Sequence, residues 1–392
     1  MNAVSATALT AAVAAALATQ AVQAQPTTYL KAPPLAQAQT LSLSSGAVAA
    51  AAAELSDAEI VTAKSPMPRV KFLAASAFDY NAAAAEAQSR SVALDLPGKR
   101  PVADAQALLT RRQLSAAALA LAPASDHEMA PEAVGTGKIP FTSTRTYPRQ
   151  QDRVYPSSAV GKLFFKDAAG NTYLCTASVL RPGVVLTAGH CVHRGSGGSA
   201  GFYNSFTFVP GYSRVGATEV RPFGTWSNWL HVTTTAAWGN GGGTVPNVGD
   251  WALLVFNTDG AGRRVGDYTG TLGFQYPALI GRHMTVLGYP ANLDGGTQMH
   301  RVDSMVNNGG TNNGLWGSDM TGGSSGGPVV LNFRQDYAGI SSATQDNAAN
   351  RVTSVVSWGY TAAGVQVQGG SQLNDDFVNL YNTTCSNYRW AC

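Results

Sequence analysis

Downstream of about residue 155 the apolar positions fall in short runs, Leu163-Phe164-Phe165, Val184-Val185-Leu186, Phe206-Thr207-Phe208-Val209 and Thr353-Ser354-Val355-Val356, each bounded by Gly, Asn or Pro. Runs this short, rich in β-branched and aromatic residues and separated by turn residues, predict strands of an all-β sandwich or barrel. Near the end of the chain Phe377, Val378, Leu380 and Tyr381 recur at helical spacing behind Asn374, which predicts one late helix capped by that asparagine and packed on the β core. Residues 25–137 read differently. They are rich in Ala, Gln, Leu and Pro, with helix-like patches such as 104–122.

The change of pattern coincides with a change of composition. All 7 Trp and all 4 Cys lie after residue 170, as do most of the 42 glycines. Ahead of it, residues 3–24 carry no charge and end in Val22-Gln23-Ala24, with an apolar stretch over 8–18 too short to span a bilayer. That predicts a secretory signal peptide over 1–24, atypical in having no basic residue before Lys31. Residues 25–137 are then expected to be a propeptide and 138–392 a single β domain. Arg145, Arg149 and Arg153 lie in the polar stretch that enters it.

Charge narrows the function. With 12% charged residues and a net charge of +3, the chain is neither a solvated disordered polymer nor a nucleic-acid-binding surface. It is expected to be secreted, extracellular or periplasmic, with no membrane association after signal removal, and to be a monomer. Four cysteines in an exported chain imply two bridges, and their spacing favours Cys175 with Cys191 and Cys385 with Cys392 among three formal pairings. A zinc site built on Cys175, His190, Cys191 and His193 lacks a second close-spaced pair, and thiols are oxidised outside the cell. No metal and no organic cofactor is expected.

The chemistry is concentrated in three places. A serine hydroxyl becomes a nucleophile only beside an imidazole that takes its proton and a buried carboxylate that orients the imidazole. Gly322-Gly323-Ser324-Ser325-Gly326-Gly327-Pro328 surrounds Ser325 with residues that let the backbone approach a substrate and turn N–H groups toward a developing oxyanion. The run also fits the nucleophile elbow of α/β-hydrolases. In that fold the histidine follows the serine, whereas all six histidines here, 127, 190, 193, 231, 283 and 300, precede it. The order must be histidine, acid, serine. His190 follows an apolar run within Thr187-Ala188-Gly189-His190-Cys191, and Asp250 opens the apolar run Trp251-Ala252-Leu253-Leu254-Val255. The group Trp226, Trp229, His231 and Trp238 reads as buried loop aromatics in preference to a carbohydrate platform.

Thr187-Ala188-Gly189-His190-Cys191, Asp250-Trp251-Ala252-Leu253-Leu254, Ser325-Gly326-Gly327-Pro328 and Val356-Ser357-Trp358-Gly359 together resemble the chymotrypsin-like serine proteases, in particular the bacterial glutamyl-endopeptidase-like (V8-like) group. The resemblance covers about residues 150–385 and is silent on 25–137. It implies two six-stranded antiparallel β-barrels with the catalytic cleft between them and a C-terminal helix. It further implies His190 as general base, Asp250 as its orienter, Ser325 as nucleophile, and the N–H groups of Gly323 and Ser325 as oxyanion hole. Ser357, Trp358 and Gly359 would pair with the substrate backbone. Partners are then protein or peptide substrates and the chain's own propeptide, and the reaction is peptide-bond hydrolysis through an acyl-enzyme. A second reading, a catalytically silent relative that binds peptides or cell-surface material in the same cleft, sits beside it.

Three departures bear on specificity and activation. Ser324 stands where animal relatives place the aspartate that pairs with a newly freed N-terminus. Glutamate-specific relatives use a histidine where this chain has Val356 and Ser357. Asp319, six residues before Ser325, is spaced like the carboxylate that receives Lys or Arg side chains, or is a plain turn aspartate.

Overall fold

A computed structural model describes residues 38–42, 54–70, 94–122, 135–146, 151–277, 279–333 and 349–392, all within the compact unit Leu35–Cys392. The signal-peptide expectation over 1–24 lies outside the described residues.

Two curled, mainly antiparallel β units form the molecule. In the first, the strands run in the order Trp229–Thr234, Ala252–Phe256, Val184–Thr187, Thr172–Arg181, Val160–Lys166 and Asn204–Pro210. The predicted runs at 163–165, 184–186 and 206–209 all fall inside these strands. Every residue of Val184–Thr187 and Ala252–Phe256 is buried, which is why both read as unbroken apolar runs without alternation. The second unit has one sheet ordered Gly273–Tyr276, Arg351–Val355, Pro328–Leu331, His283–Gly288, His300–Met305 and Phe141–Arg145. A smaller sheet beside it is ordered Asn307–Asn308, Asn313–Gly317, Val367–Ser371 and Trp358–Tyr360.

The expected late helix is Asp375–Asn387, with the Asn374 side chain accepting from the N–H groups of Asp376 and Phe377. Its Phe377 meets Trp251 of the first unit edge-on at 6.0 Å and Phe274 of the second at 5.1 Å between ring centroids. Both expected disulfides are present, Cys175–Cys191 and Cys385–Cys392. Trp226, Trp229, Trp238 and His231 are buried, as loop and strand aromatics of the interior.

The described part of 38–122 has no separate core. Its strands extend sheet edges of the β units: Gln39–Ser42 on Trp229–Thr234, Leu94–Leu96 on Gly273–Tyr276, Thr110–Gln113 on Thr218–Arg221, and Arg69–Val70 on Trp358–Tyr360. Leu55, Ile60, Val61, Leu114 and Ala118 are buried in the same apolar cluster as the first unit. The patch 104–122 is not one helix. It divides into a 3-10 turn Gln106–Leu108, the strand Thr110–Gln113 and a short helix Ala116–Leu119. An open sheet edge at Thr218–Arg221 supplies backbone partners that outweigh weak helical propensity.

Candidate active site

His190 sits in the 3-10 turn Gly189–Cys191 directly after the strand Val184–Thr187, and the disulfide to Cys175 ties that turn to the neighbouring strand. Gly189 is required by close packing, since a Cβ there would lie 2.7 Å from the Trp238 ring. Asp250 is fully buried just ahead of Ala252–Phe256. One of its oxygens accepts from the His190 backbone N–H at 2.8 Å, and the other meets His190 Nδ1 at 2.8 Å. Ser357 donates its hydroxyl to that second oxygen at 2.5 Å, and the Asp250 N–H donates to Ser371 Oγ at 3.1 Å. The carboxylate thus collects three donors in a dry setting, which fixes the ring plane and the Nδ1–H tautomer and leaves Nε2 as the nitrogen able to accept a proton. Nε2 is buried and has no hydrogen-bond partner among the described residues, and neither has Ser325 Oγ.

The serine turn is held by backbone. Gly323 and Gly326 adopt φ of +97° and +78°, and a Cβ would collide with the Tyr289 carbonyl at the first and with Thr187 Oγ1 at the second. The Ser325 carbonyl accepts from Thr176 N–H at 2.7 Å, and Gly326 N–H donates to Val356 O at 2.7 Å. Gly326 therefore lies against Thr187 and Ala188, two residues before His190, while Val356 leads into Ser357 on Asp250. The three motifs, far apart in sequence, meet in one cleft. Ser325 Oγ and His190 Nε2 are not hydrogen-bonded to each other here; such contacts are often long without substrate and tighten when it binds.

Beside the serine lies a small cavity of about 90 Å³ whose wall includes Ser318, Asp319, Met320, Gly359 and Tyr360. Burial pushes the Asp319 carboxyl above its usual range, against a lowering hydrogen bond from Ser143, and its Oδ1 is buried with no hydrogen-bond partner among the described residues. Sequence reading missed Gln368. It is buried beneath this cavity, donating to Met320 O at 3.0 Å and Ser324 Oγ at 2.9 Å and accepting from Ser318 Oγ at 2.8 Å. The Ser357 hydroxyl on the Asp250 carboxylate and the Ser371 hydroxyl that accepts from the Asp250 N–H were missed too, because no local pattern marks a hydroxyl whose partner lies more than a hundred residues away. The sulfurs of Cys175 and Cys191 lie near a His190 ring nitrogen, but both are spent in the disulfide.

The cleft is not open. Residues 64–70 run through it. Lys64 N–H donates to Thr172 O at 2.9 Å and its carbonyl accepts from Leu174 N–H at 2.8 Å; at the far end Gly359 N–H donates to Pro68 O and Thr361 N–H to Val70 O, each at 3.0 Å. Between these anchors the Ser65 carbonyl lies over Gly322 so closely that a Cβ on Gly322 would overlap it, and Met67 borders the small cavity, its sulfur 3.7 Å from Gln368 Nε2.

The family description "Trypsin" matches residues 150–363. The chain belongs to the trypsin family. A curated glutamyl endopeptidase from Bacillus licheniformis is 26% identical over 245 residues, which cover 62% of this chain and 65% of that relative. The match therefore spans less than two thirds of that relative's length. Among solved structures, protease Anisep from Arthrobacter nicotinovorans is 28% identical with a TM-score of 0.48, covering 58% of this chain and 96% of that one. A Glu endopeptidase in complex with MPD is 18% identical with a TM-score of 0.46, covering 62% and 96%. The family places the two curled β units and the C-terminal helix as the chymotrypsin-like fold expected from sequence.

Proposed function

We propose that this chain is a serine endopeptidase, exported as a precursor, that hydrolyses peptide bonds through an acyl-enzyme. The observation that carries the reading is the Asp250 carboxylate holding both the backbone and Nδ1 of His190 while Nε2, in the cleft that also contains Ser325 Oγ, has no partner among the described residues. His190 Nε2 removes the Ser325 proton as Oγ attacks the scissile carbonyl. Asp250 stabilises the imidazolium so formed. The N–H groups of Gly323 and Ser325 receive the oxyanion, and the imidazolium then delivers its proton to the departing amide nitrogen. Water, activated by the same imidazole, releases the acyl group.

The Trp358–Tyr360 edge takes the acyl half of the substrate backbone, and the cavity at Asp319 takes the side chain before the cleaved bond. A glutamate there would meet a carboxylate, so the preference departs from the one named for the Bacillus relative, and an unpartnered Asp319 oxygen supports a basic side chain instead. Residues 1–24 act as the export signal, 25–137 as the propeptide and 138–392 as the enzyme, secreted and monomeric. The presence of 64–70 in the cleft supports the precursor reading.

The test is cut-site mass spectrometry on a denatured protein mixture, with Ser325→Ala as control, together with fluorophosphonate labelling. Labelling of Ser325 and cuts after Lys or Arg are expected. Cuts after Glu would overturn the role given to Asp319. An intact, processed protein that neither labels nor cuts would instead be the silent peptide-binding relative.

A further inference from the structure

The direction in which 64–70 threads the cleft has a chemical consequence. On the mechanism proposed above, the half of a cleavable polypeptide upstream of the scissile bond lies along Trp358–Tyr360, and its leaving nitrogen must face His190, so the downstream half departs on the side of the histidine turn, where Cys191 is bridged to Cys175 next to residues 172–174. The self-segment does the reverse. Its upstream end, Lys64, is anchored on residues 172–174 through the parallel bridge to Tyr173, and its downstream end, Arg69–Val70, pairs parallel with Trp358–Tyr360. Ser65 passes over Gly322 and Met67 reaches the cavity in between.

We propose that residues 64–70 are an inhibitor bound backwards, a strand that fills the substrate cleft in a polarity the enzyme does not cleave and that goes on inhibiting after the chain is cut elsewhere. The inference rests on the protease reading above. The reason lies in what each side of a carbonyl carbon carries. Hydrolysis breaks the C–N bond, and the nitrogen must face His190 to receive the proton. In a chain of opposite polarity the substituent on that side is a Cα, so an oxyanion formed on Ser325 has no leaving group toward the imidazole and collapses back to the peptide. The strand nevertheless keeps the backbone hydrogen bonds of an added β strand at both ends and a side chain in the cavity, which is what holds a peptide in such a cleft. A cut near residue 137 therefore does not by itself give activity. The segment must also dissociate or be destroyed at bonds outside 64–70.

The test uses the full chain with a recognition sequence for an unrelated, sequence-specific protease replacing residues 125–131. After that cut the wild-type protein is expected to hydrolyse peptides at no more than about a tenth of the rate of the same protein carrying Met67→Asp, a difference equivalent to about 1.4 kcal/mol of binding. Mass spectrometry is expected to find no fragment ending at a bond within 64–70. Met67→Ala serves if the aspartate variant misfolds. In the Ser325→Ala background, protection of bonds within 64–70 from an added non-specific protease reads the bound strand without catalysis, and Met67→Asp is expected to remove that protection while the fragment stays docked through Gln39–Ser42, Leu94–Leu96 and Thr110–Gln113. Fragments ending inside 64–70, or cut wild-type protein as active as the Met67 variants, would overturn the proposal while leaving the protease reading intact. Absence of fluorophosphonate labelling in every variant would overturn the protease reading, and the inhibitor with it.

Discussion

The Ser357 hydroxyl lies 2.5 Å from the same Asp250 oxygen that His190 Nδ1 meets at 2.8 Å. It shares the carboxylate with the imidazole, so on the proposed mechanism it helps orient the ring, in addition to the substrate-strand role its backbone was expected to play. Ser357→Ala removes one hydrogen bond to a buried charge, a loss of about 1–2 kcal/mol. We expect kcat to fall about tenfold, the rate equivalent of that energy, with KM nearly unchanged. Steady-state kinetics on the processed enzyme reads this directly, and a loss confined to KM would return Ser357 to substrate binding alone.

Gly322 faces the strap and little else: the nearest atoms a Cβ would meet all belong to Ser65. Gly322→Ala should therefore loosen 64–70 and raise hydrolysis by the uncut precursor severalfold. If precursor activity stays flat while the strap remains protected from an added protease, the Ser65 contact is not what holds it.

Lys162 is 2% exposed, its ammonium 4.4 Å from the Tyr212 ring centroid and 5.0 Å from that of Phe164, at the wall of a cavity of about 460 Å³ that Arg145, Arg214 and Asp294 also line. Burial, reinforced by the Arg214 charge and opposed by Glu219, pushes it down to about 7 from 10.5. Between those values the unfolded chain holds a proton the native protein has released, so stability rises with pH across that window and the burial cost is full below it. Lys162→Met should stabilise the protein by on the order of a few kcal/mol at pH 6, the gain shrinking as pH climbs from about 7 toward 10. Urea midpoints at pH 6, 8 and 10 test it; a gain that ignores pH would show that the ammonium is not the cause.

The two disulfides should separate stability from activity. Cys175–Cys191 closes a span of 16 residues around the turn that carries His190, whereas Cys385–Cys392 closes 7 at the chain end. Replacing the first pair by alanine should cost about 3 kcal/mol and much of the turnover. Replacing the second should lower the melting temperature less and leave kcat near wild type. Equal kinetic damage from both would show that the histidine turn does not depend on its bridge.

That His190, Asp250 and Ser325 come together was legible in the sequence because each sits in a short run of small or apolar neighbours that lets the backbone pack closely around it. Asn374 and the stripe behind it were legible for a similar reason, a cap and a period within one element. Thr110-Arg111-Arg112-Gln113 was not: nothing local makes it a strand, and only the open edge at Thr218–Arg221 does. The same holds for Ser371 beneath Asp250 and for the polarity of 64–70. These are facts about partners distant in the chain, to which composition and periodicity are blind.

Trp251 of the first β unit donates from its ring N–H to Ser371 O of the second at 3.0 Å, one residue from the Asp250 N–H that donates to Ser371 Oγ. The acid is thus moored across the seam between the two halves, and Phe377 of the C-terminal helix touches both sides of it. A molecule whose halves have folded but docked wrongly cannot align its carboxylate. On the proposed mechanism, quality control is then built into the chemistry: only a correctly assembled copy would cut, and a misassembled one would be harmless to the cell that made it.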